Sequence, residues 1–194
     1  MDWAMDSELY KKFLLQYSQT VNVISRKATE AEVDQIIRES LLLRERLETP
    51  LIIDAGSGNG ILGIPLAMSE PARKYVLVES KQKKIRFLMA VKKYLKLDNV
   101  TVFHGPIQEY LKQTGKPDAT LIARGFPRND LLIELFMKKK VMELAIITSP
   151  AKIKKYTQGM EKIKKNVYNI PLRDNLVILK MEHVSRETSE KWVK

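Results

Sequence analysis

Apolar positions along this chain follow two regimes. From residue 6 to residue 47 they recur at helical spacing. Leu9, Phe13, Leu14 and Tyr17 stand at i, i+4, i+5 and i+8, and Val33, Ile36, Ile37, Ser40 and Leu41 repeat the stripe. Thr29 with Glu32 three residues on forms a capping pair that opens the second helix, and Thr20–Ile24 connects the two. From residue 50 onward short apolar runs alternate with helical stretches. Leu51–Ile53 ends in Asp54, and Tyr75–Val78 ends in Glu79. Further strands are predicted at Asn99–Phe103, Asp118–Ala123, Leu144–Thr148, Asn166–Ile170 and Asn175–Met181. A helix over Lys81–Lys96 is expected to bury Ile85, Leu88, Met89 and Leu95. Strand alternating with helix implies a doubly wound, mostly parallel α/β sheet. The first two helices precede that alternation, so they are expected to form a cap beside the sheet or over a ligand mouth. This divides the chain into a helical cap at 1–48 and one structural unit at 49–194.

The stretch between the two acids carries the candidate chemistry. Gly56, Gly58, Gly60 and Gly63 make a turn in which a ligand can approach bare main chain. A carboxylate about 20 residues beyond such a loop suits the two hydroxyls of a ribose. Strand, glycine loop, helix and strand with an acid at the tip therefore predict a nucleoside-cofactor site. The dinucleotide fingerprint G-x-G-x-x-G would need glycine where Ile61 stands. Asp54-Ala55-Gly56-Ser57-Gly58-Asn59-Gly60 instead reads D-x-G-x-G-x-G, which resembles motif I of class I methyltransferases that use S-adenosylmethionine.

Composition narrows the choice. The chain has 194 residues, 44% hydrophobic and 29% charged, enough for one α/β domain with a short extension. Lys and Arg number 34 against 23 acids, a formal net charge of +11. That excess suits a polyanion such as RNA; a lysine-rich solvated surface is the alternative. There is no cysteine, which excludes disulfides, thiolate metal sites and thiol nucleophiles. No apolar run reaches about 18 residues and no signal-peptide pattern opens the chain, so a cytoplasmic protein is expected.

Asp54 to Leu66, followed by Val78-Glu79-Ser80 and Lys83-Lys84-Ile85-Arg86-Phe87-Leu88, is similar to the small-subunit ribosomal RNA guanine-N7 methyltransferase family (RsmG, also called glucose-inhibited division protein B). The carrying segments are the family's G-x-P-G-I-P-L and K-R-x-R-F-L, and weaker similarity runs from about Tyr10 to Lys180. The resemblance implies a class I, Rossmann-like fold with a seven-stranded, mostly parallel sheet whose last two runs form the antiparallel pair. It implies that Asp54, Gly56, Ser57, Gly58, Gly60 and Ile61 cradle S-adenosylmethionine, with the loop amides facing its methionine part. Glu79 would hold the ribose, and the Ile107 backbone with Gln108 would lie at the adenine edge. Arg124, in Ala123-Arg124-Gly125-Phe126, matches the arginine that the family places near cofactor and substrate, and is the expected catalytic residue. His104 reads as a loop histidine rather than a base. Two positions depart from the pattern: Ile36 stands where the family has histidine and Ser149 where it has lysine. Glu39 holds the family's acid position, after a turn read here as Asn22-Val23-Ile24.

The expected partner is ribosomal RNA or the small ribosomal subunit, with no metal, no membrane and a single copy of the chain. Lys81, Lys83, Lys84, Arg86, Arg128 and Lys152 are the candidate phosphate contacts, helped by the Lys138–Lys140 and Lys152–Lys165 segments. Guanine N7 has a lone pair and no proton to lose, so the absence of an evident general base agrees with that target. Pyrimidine C5 methylation usually needs a cysteine, and amino methylation often uses an N/D-P-P-Y/F turn that Arg124-Gly125-Phe126-Pro127 is not. Three alternatives stay open at this point: a relative acting on another RNA or a small molecule, a non-catalytic RNA-binding module, and a nicotinamide-dependent oxidoreductase.

Overall fold

A computed structural model describes residues 3–20, 24–25, 27–170 and 175–183. Seven strands form one sheet: β1 (Leu51–Ala55), β2 (Lys74–Glu79), β3 (Val100–His104), β4 (Ala119–Arg124), β5 (Glu143–Thr148), β6 (Ile163–Asn169) and β7 (Val177–His183). Their spatial order is β3-β2-β1-β4-β5-β7-β6. Pairing is parallel from β3 to β5, and β7 lies antiparallel to both β5 and β6. The chain reverses direction across the sheet between β1 and β4, and such a switch point opens a crevice at the carboxyl ends of the strands.

Side chains alternate between the two faces of each strand. Ile52, Tyr75, Leu77, Ile122 and Ile147 enter one buried cluster; Ile53, Val76, Val78, Leu121 and Ile146 enter the other. The first face is covered by α1 (Trp3–Thr20), α2 (Glu30–Leu41), α3 (Gly63–Ser69) and α4 (Gln82–Tyr94). The second is covered by α5 (Ile107–Thr114), α6 (Asn129–Met137) and α7 (Ile153–Thr157). Tyr10, Leu14, Val33 and Ile37 are buried in the same cluster as the sheet, so the amino-terminal helices contribute to its core.

Local signals account for the element starts. Thr29 Oγ1 accepts from the Glu32 amide, and Glu32 Oε2 accepts from the Thr29 amide at 2.8 Å, closing the capping box. In α4 the buried side is Ile85, Phe87, Leu88 and Val91, with Leu95 just beyond its end, whereas Met89 is 53% exposed and not buried as its spacing suggested. At 100° per residue Met89 falls past Ile85 on the outer flank, while Val91 lies on the side facing the sheet. Strand boundaries shift by up to three residues: β6 begins at Ile163 and β7 at Val177. Asn22 and Val23 of the expected turn lie outside the described residues.

Candidate active site

The glycine loop follows β1, and three of its residues have left-handed backbone: φ is +66° at Gly56, +61° at Gly58 and +72° at Gly60. A Cβ at Gly56 would stand 2.6 Å from the Phe126 ring and one at Gly60 2.6 Å from Ile64, so neither glycine has room for a side chain. Most of the loop's N–H groups bond inward. Ser57 N donates to Val78 O, Gly60 N to Ser57 O, Ile61 N to Asn59 Oδ1 and Gly63 N to Asp54 Oδ2. The carbonyls of Gly56 and Gly58 accept no bond among the described residues. The amides of Asn59 and Leu62 donate no bond either among the described residues.

The Asp54 carboxyl is buried, and burial raises its pKa to about 7; bonds from Ser57 and Gly63 pull the other way, and Glu79 adds a smaller upward push. Glu79 is tied to the backbone: Oε2 accepts from Gly58 N at 2.9 Å, and Oε1 from Ser80 N and Lys81 N at 2.8 Å each. A carboxylate offers about four lone-pair sites, and the backbone takes three of those of Glu79.

These residues enclose a cavity of about 210 Å³ lined by Asp54, Gly56, Ser57, Gly58, Asn59, Ile61, Leu62, Lys84, Arg124 and Gly125. Six of the ten residues expected to hold the donor are therefore brought together, and Gly60 and Glu79 brace the loop from behind. The other two stand elsewhere. Ile107 is buried in the core, and Gln108 is exposed beside a separate depression between α5 and α6. Lys84, expected on the RNA side, lines the donor cavity; its Nζ would lie 3.3 Å from a Cβ at Gly58. A buried acid at the strand end and a glycine loop without room for side chains fit a ligand that packs against bare main chain, beside the cations Lys84 and Arg124.

A second cavity, about 460 Å³, adjoins the first through Arg124 and Gly125. Phe126, Pro127, Asn129, Ile147, Thr148, Ser149, Lys152, Tyr156 and Leu176 complete its lining. Arg124, at the tip of β4, stands in the wall of both. Its Nη2 donates to Glu39 Oε2 at 2.6 Å, while Nη1 is sealed from solvent and has no partner. Asn129 Nδ2 donates to the Tyr156 hydroxyl, and its Oδ1 is likewise buried without a partner. The amino-terminal helices reach the same place: Tyr10 Oη donates to Asn59 O at 3.0 Å and Ser40 Oγ to Ile61 O at 2.9 Å.

Lys81, Lys83, Arg86, Arg128 and Lys152 are all exposed, and none of them forms an ion pair among the described residues. Lys138, Lys155 and Lys164 are paired, with Glu134, Asp130 and Glu182. His104 is exposed and its Nε2 lies 3.2 Å from Ser80 O. Tyr10, Ser40, Asn129 and Tyr156 were not singled out for the site in the sequence, because nothing local distinguishes them from packing residues. Among the described residues no helix is long and apolar enough to cross a membrane.

Comparison with known proteins gives the family and the fold. The family model described as rRNA small subunit methyltransferase G (GidB) matches residues 5–172. Ribosomal RNA small subunit methyltransferase G of Brachyspira hyodysenteriae is 32% identical over 167 residues, covering 84% of this chain and 80% of its own. The protein of the same name from Nitrosomonas eutropha is 33% identical over 129 residues, 66% of this chain and 58% of its own length. Among solved structures, the O-methyltransferase from Bacillus cereus in complex with SAH superposes with a TM-score of 0.67 at 14% identity, over 89% of this chain and 90% of that one. An rRNA methylase from Streptococcus thermophilus gives 0.56 at 15% identity, over 76% and 95%. These two likenesses concern the fold alone. With the family model spanning most of the chain over a class I sheet, this protein belongs to the rRNA small subunit methyltransferase G family of S-adenosylmethionine-dependent methyltransferases.

Proposed function

We propose that this enzyme methylates a guanine of small-subunit ribosomal RNA at N7, with the donor in the smaller cavity and the target base in the larger. S-adenosylmethionine supplies an electrophilic methyl group on a positively charged sulfur. Asp54 and the carbonyls of Gly56 and Gly58 hold the cationic part of the donor. Glu79, by fixing the loop through Gly58, presets its shape. Ile107 and Gln108 belong to the adenine end in this reading, which requires Gln108 to turn inward when the donor binds. Among the described residues no carboxylate, histidine or cysteine lines the larger cavity, in keeping with a nucleophile that has no proton to give up. Arg124 donates toward the guanine edge or a flanking phosphate, as a planar fork of donors does. Lys81, Lys83, Arg86, Arg128 and Lys152 neutralise phosphates around the mouth, with Lys84 bridging toward the donor.

The observation that carries this reading is the position of Arg124 in the wall shared by both cavities. Alignment of the reacting atoms is the main catalytic resource for such a displacement, and a group that touches both sites is placed to supply it. Both cavities are built from one chain, so a single copy in the cytoplasm, where ribosomes are, suffices. The test is transfer of labelled methyl from S-adenosylmethionine into small-subunit RNA that lacks the modification, followed by nucleoside mapping. Label at guanine N7 supports the reading. Label at another atom or in another RNA replaces the target, and no incorporation into any RNA removes it.

A further inference from the structure

Adjacent residues of α2 reach two residues that line the smaller cavity. Ser40 Oγ shares its one proton between Ile36 O at 2.8 Å and Ile61 O at 2.9 Å, and Glu39 Oε2 accepts from Arg124 Nη2 at 2.6 Å. Ile61 and Arg124 both line the same cavity of about 210 Å³. The two side chains of the ion pair are 4% and 17% exposed, so water competes little for either. The pair joins residues 85 positions apart, and it is the charged contact from the amino-terminal helices to the strand tips. An arginine side chain has four rotatable bonds and keeps considerable rotamer freedom unless something fixes its head. Here Leu43, Val33 and Ile37 anchor α2 in the core, and α2 in turn presents Glu39 to the guanidinium.

We infer that Glu39 is a positioning residue: it sets the direction of the Arg124 guanidinium in the wall between the two cavities, while Ser40 ties α2 to the glycine loop at Ile61. This rests on the reading of Arg124 as the group that orients the target. The helical cap thereby becomes part of the catalytic architecture, although Glu39 lines neither cavity.

Glu39→Gln keeps the shape and removes the charge. It is expected to lower the turnover number for RNA methylation by about tenfold or more, as misplacement of an aligning group does, and to leave the affinity for S-adenosylhomocysteine within about twofold. Glu39→Asp, which retains the charge, should recover part of the loss. The deciding readout is a cycle with Arg124→Ala: once Arg124 is gone, Glu39→Gln should add little further loss. Equal losses in both backgrounds, or full turnover in Glu39→Gln, would overturn the assignment. A second measurement uses the unmodified chain and needs no activity. Side-chain NMR of the Arg124 guanidinium should show separate, slowly exchanging Nη signals, and averaged signals would count against a fixed head. If the unmodified chain methylates no RNA, the reading of Arg124 fails, and the NMR result still decides whether Glu39 holds it.

Discussion

At the amino ends of the central strands the Lys180 ammonium lies among three carboxylates; at their carboxyl ends Arg124 is bridged by Glu39 and keeps a buried nitrogen unpaired. Lys180 is 2% exposed and sits 2.8 Å from Glu182, 3.1 Å from Glu48 and 3.7 Å from Glu143. Glu143 also accepts from Thr120, whose hydroxyl meets Thr49 at 2.8 Å. Those three acids stand close enough to hold a metal ion, but the lysine already serves as their cation. Burial disfavours its charge, yet bonds to Glu182 and Glu48 and the charge of Glu143 outweigh that and raise its pKa. Buried ionic groups can thus be closed or open. A closed network satisfies its own polar atoms and holds the sheet; an open one leaves polar atoms and space, which is what a ligand needs.

The strongest way to break the contrast is at the open end. Arg124→Ala should reduce the turnover number per folded molecule about 100-fold or more, the scale of losing a group that stabilises the reacting charge, in addition to the stability lost by leaving buried Glu39 without its cation. At the closed end only stability is expected to change. Lys180→Met leaves buried Glu143 without its cation and half-buried Glu182 with Lys164 alone, while Glu48 is exposed, and should cost about 3–5 kcal/mol in urea unfolding. Methyl transfer per folded molecule should stay at the starting level. If Lys180→Met instead lost activity without losing stability, the two ends would not be separate.

Acidity sharpens the comparison, because the two ends respond with opposite sign. Asp54 has a folded pKa raised from 3.8 to about 7, so its carboxyl favours folding when protonated. That contribution is present below about pH 4 and is lost as pH rises to about 7. Glu182 is lowered: burial opposes its charge, but Lys180 and Lys164 prevail, so its contribution is present at neutral pH and is lost on acidification below the ordinary glutamate range. Urea midpoints from pH 4.5 to 7.5 should therefore fall more steeply with pH in the unmodified chain than in Asp54→Asn. Saturating S-adenosylmethionine should remove much of that fall, since a bound cation favours the ionised acid. Equal slopes in the two proteins would refute the role of Asp54.

The smallest expected effect concerns the rim. Replacing Lys83 and Arg86 by glutamine should reduce the slope of log affinity for RNA against log salt by about 0.7 for each phosphate contact removed. Filter binding over a salt series measures it, and turnover at saturating RNA should change little. An unchanged slope would leave these two cations as solvated surface.

What the amino-acid sequence determined by itself is the part governed by local rules. Alternation of apolar positions produced the order of strands and helices, and glycines at 56, 58 and 60 mark where only a residue without Cβ can take the left-handed turn. Thr29 and Glu32 form their capping box within four residues, and the acids at the tips of β1 and β2 follow from where those strands end. The tertiary structure alone decided the pairings between distant segments. Periodicity could not place Met89 outside and Val91 inside, because that depends on how α4 is rotated against the sheet. Lys84 went to the wall of the smaller cavity and Lys83 and Arg86 to the exposed surface because one turn of a helix points successive side chains in different directions. The bridge from Glu39 to Arg124, and the enclosure of Lys180 by three acids, arise only when surfaces far apart in the chain are packed together. Electrostatic partners are chosen by distance in space, and separation along the chain does not specify that distance.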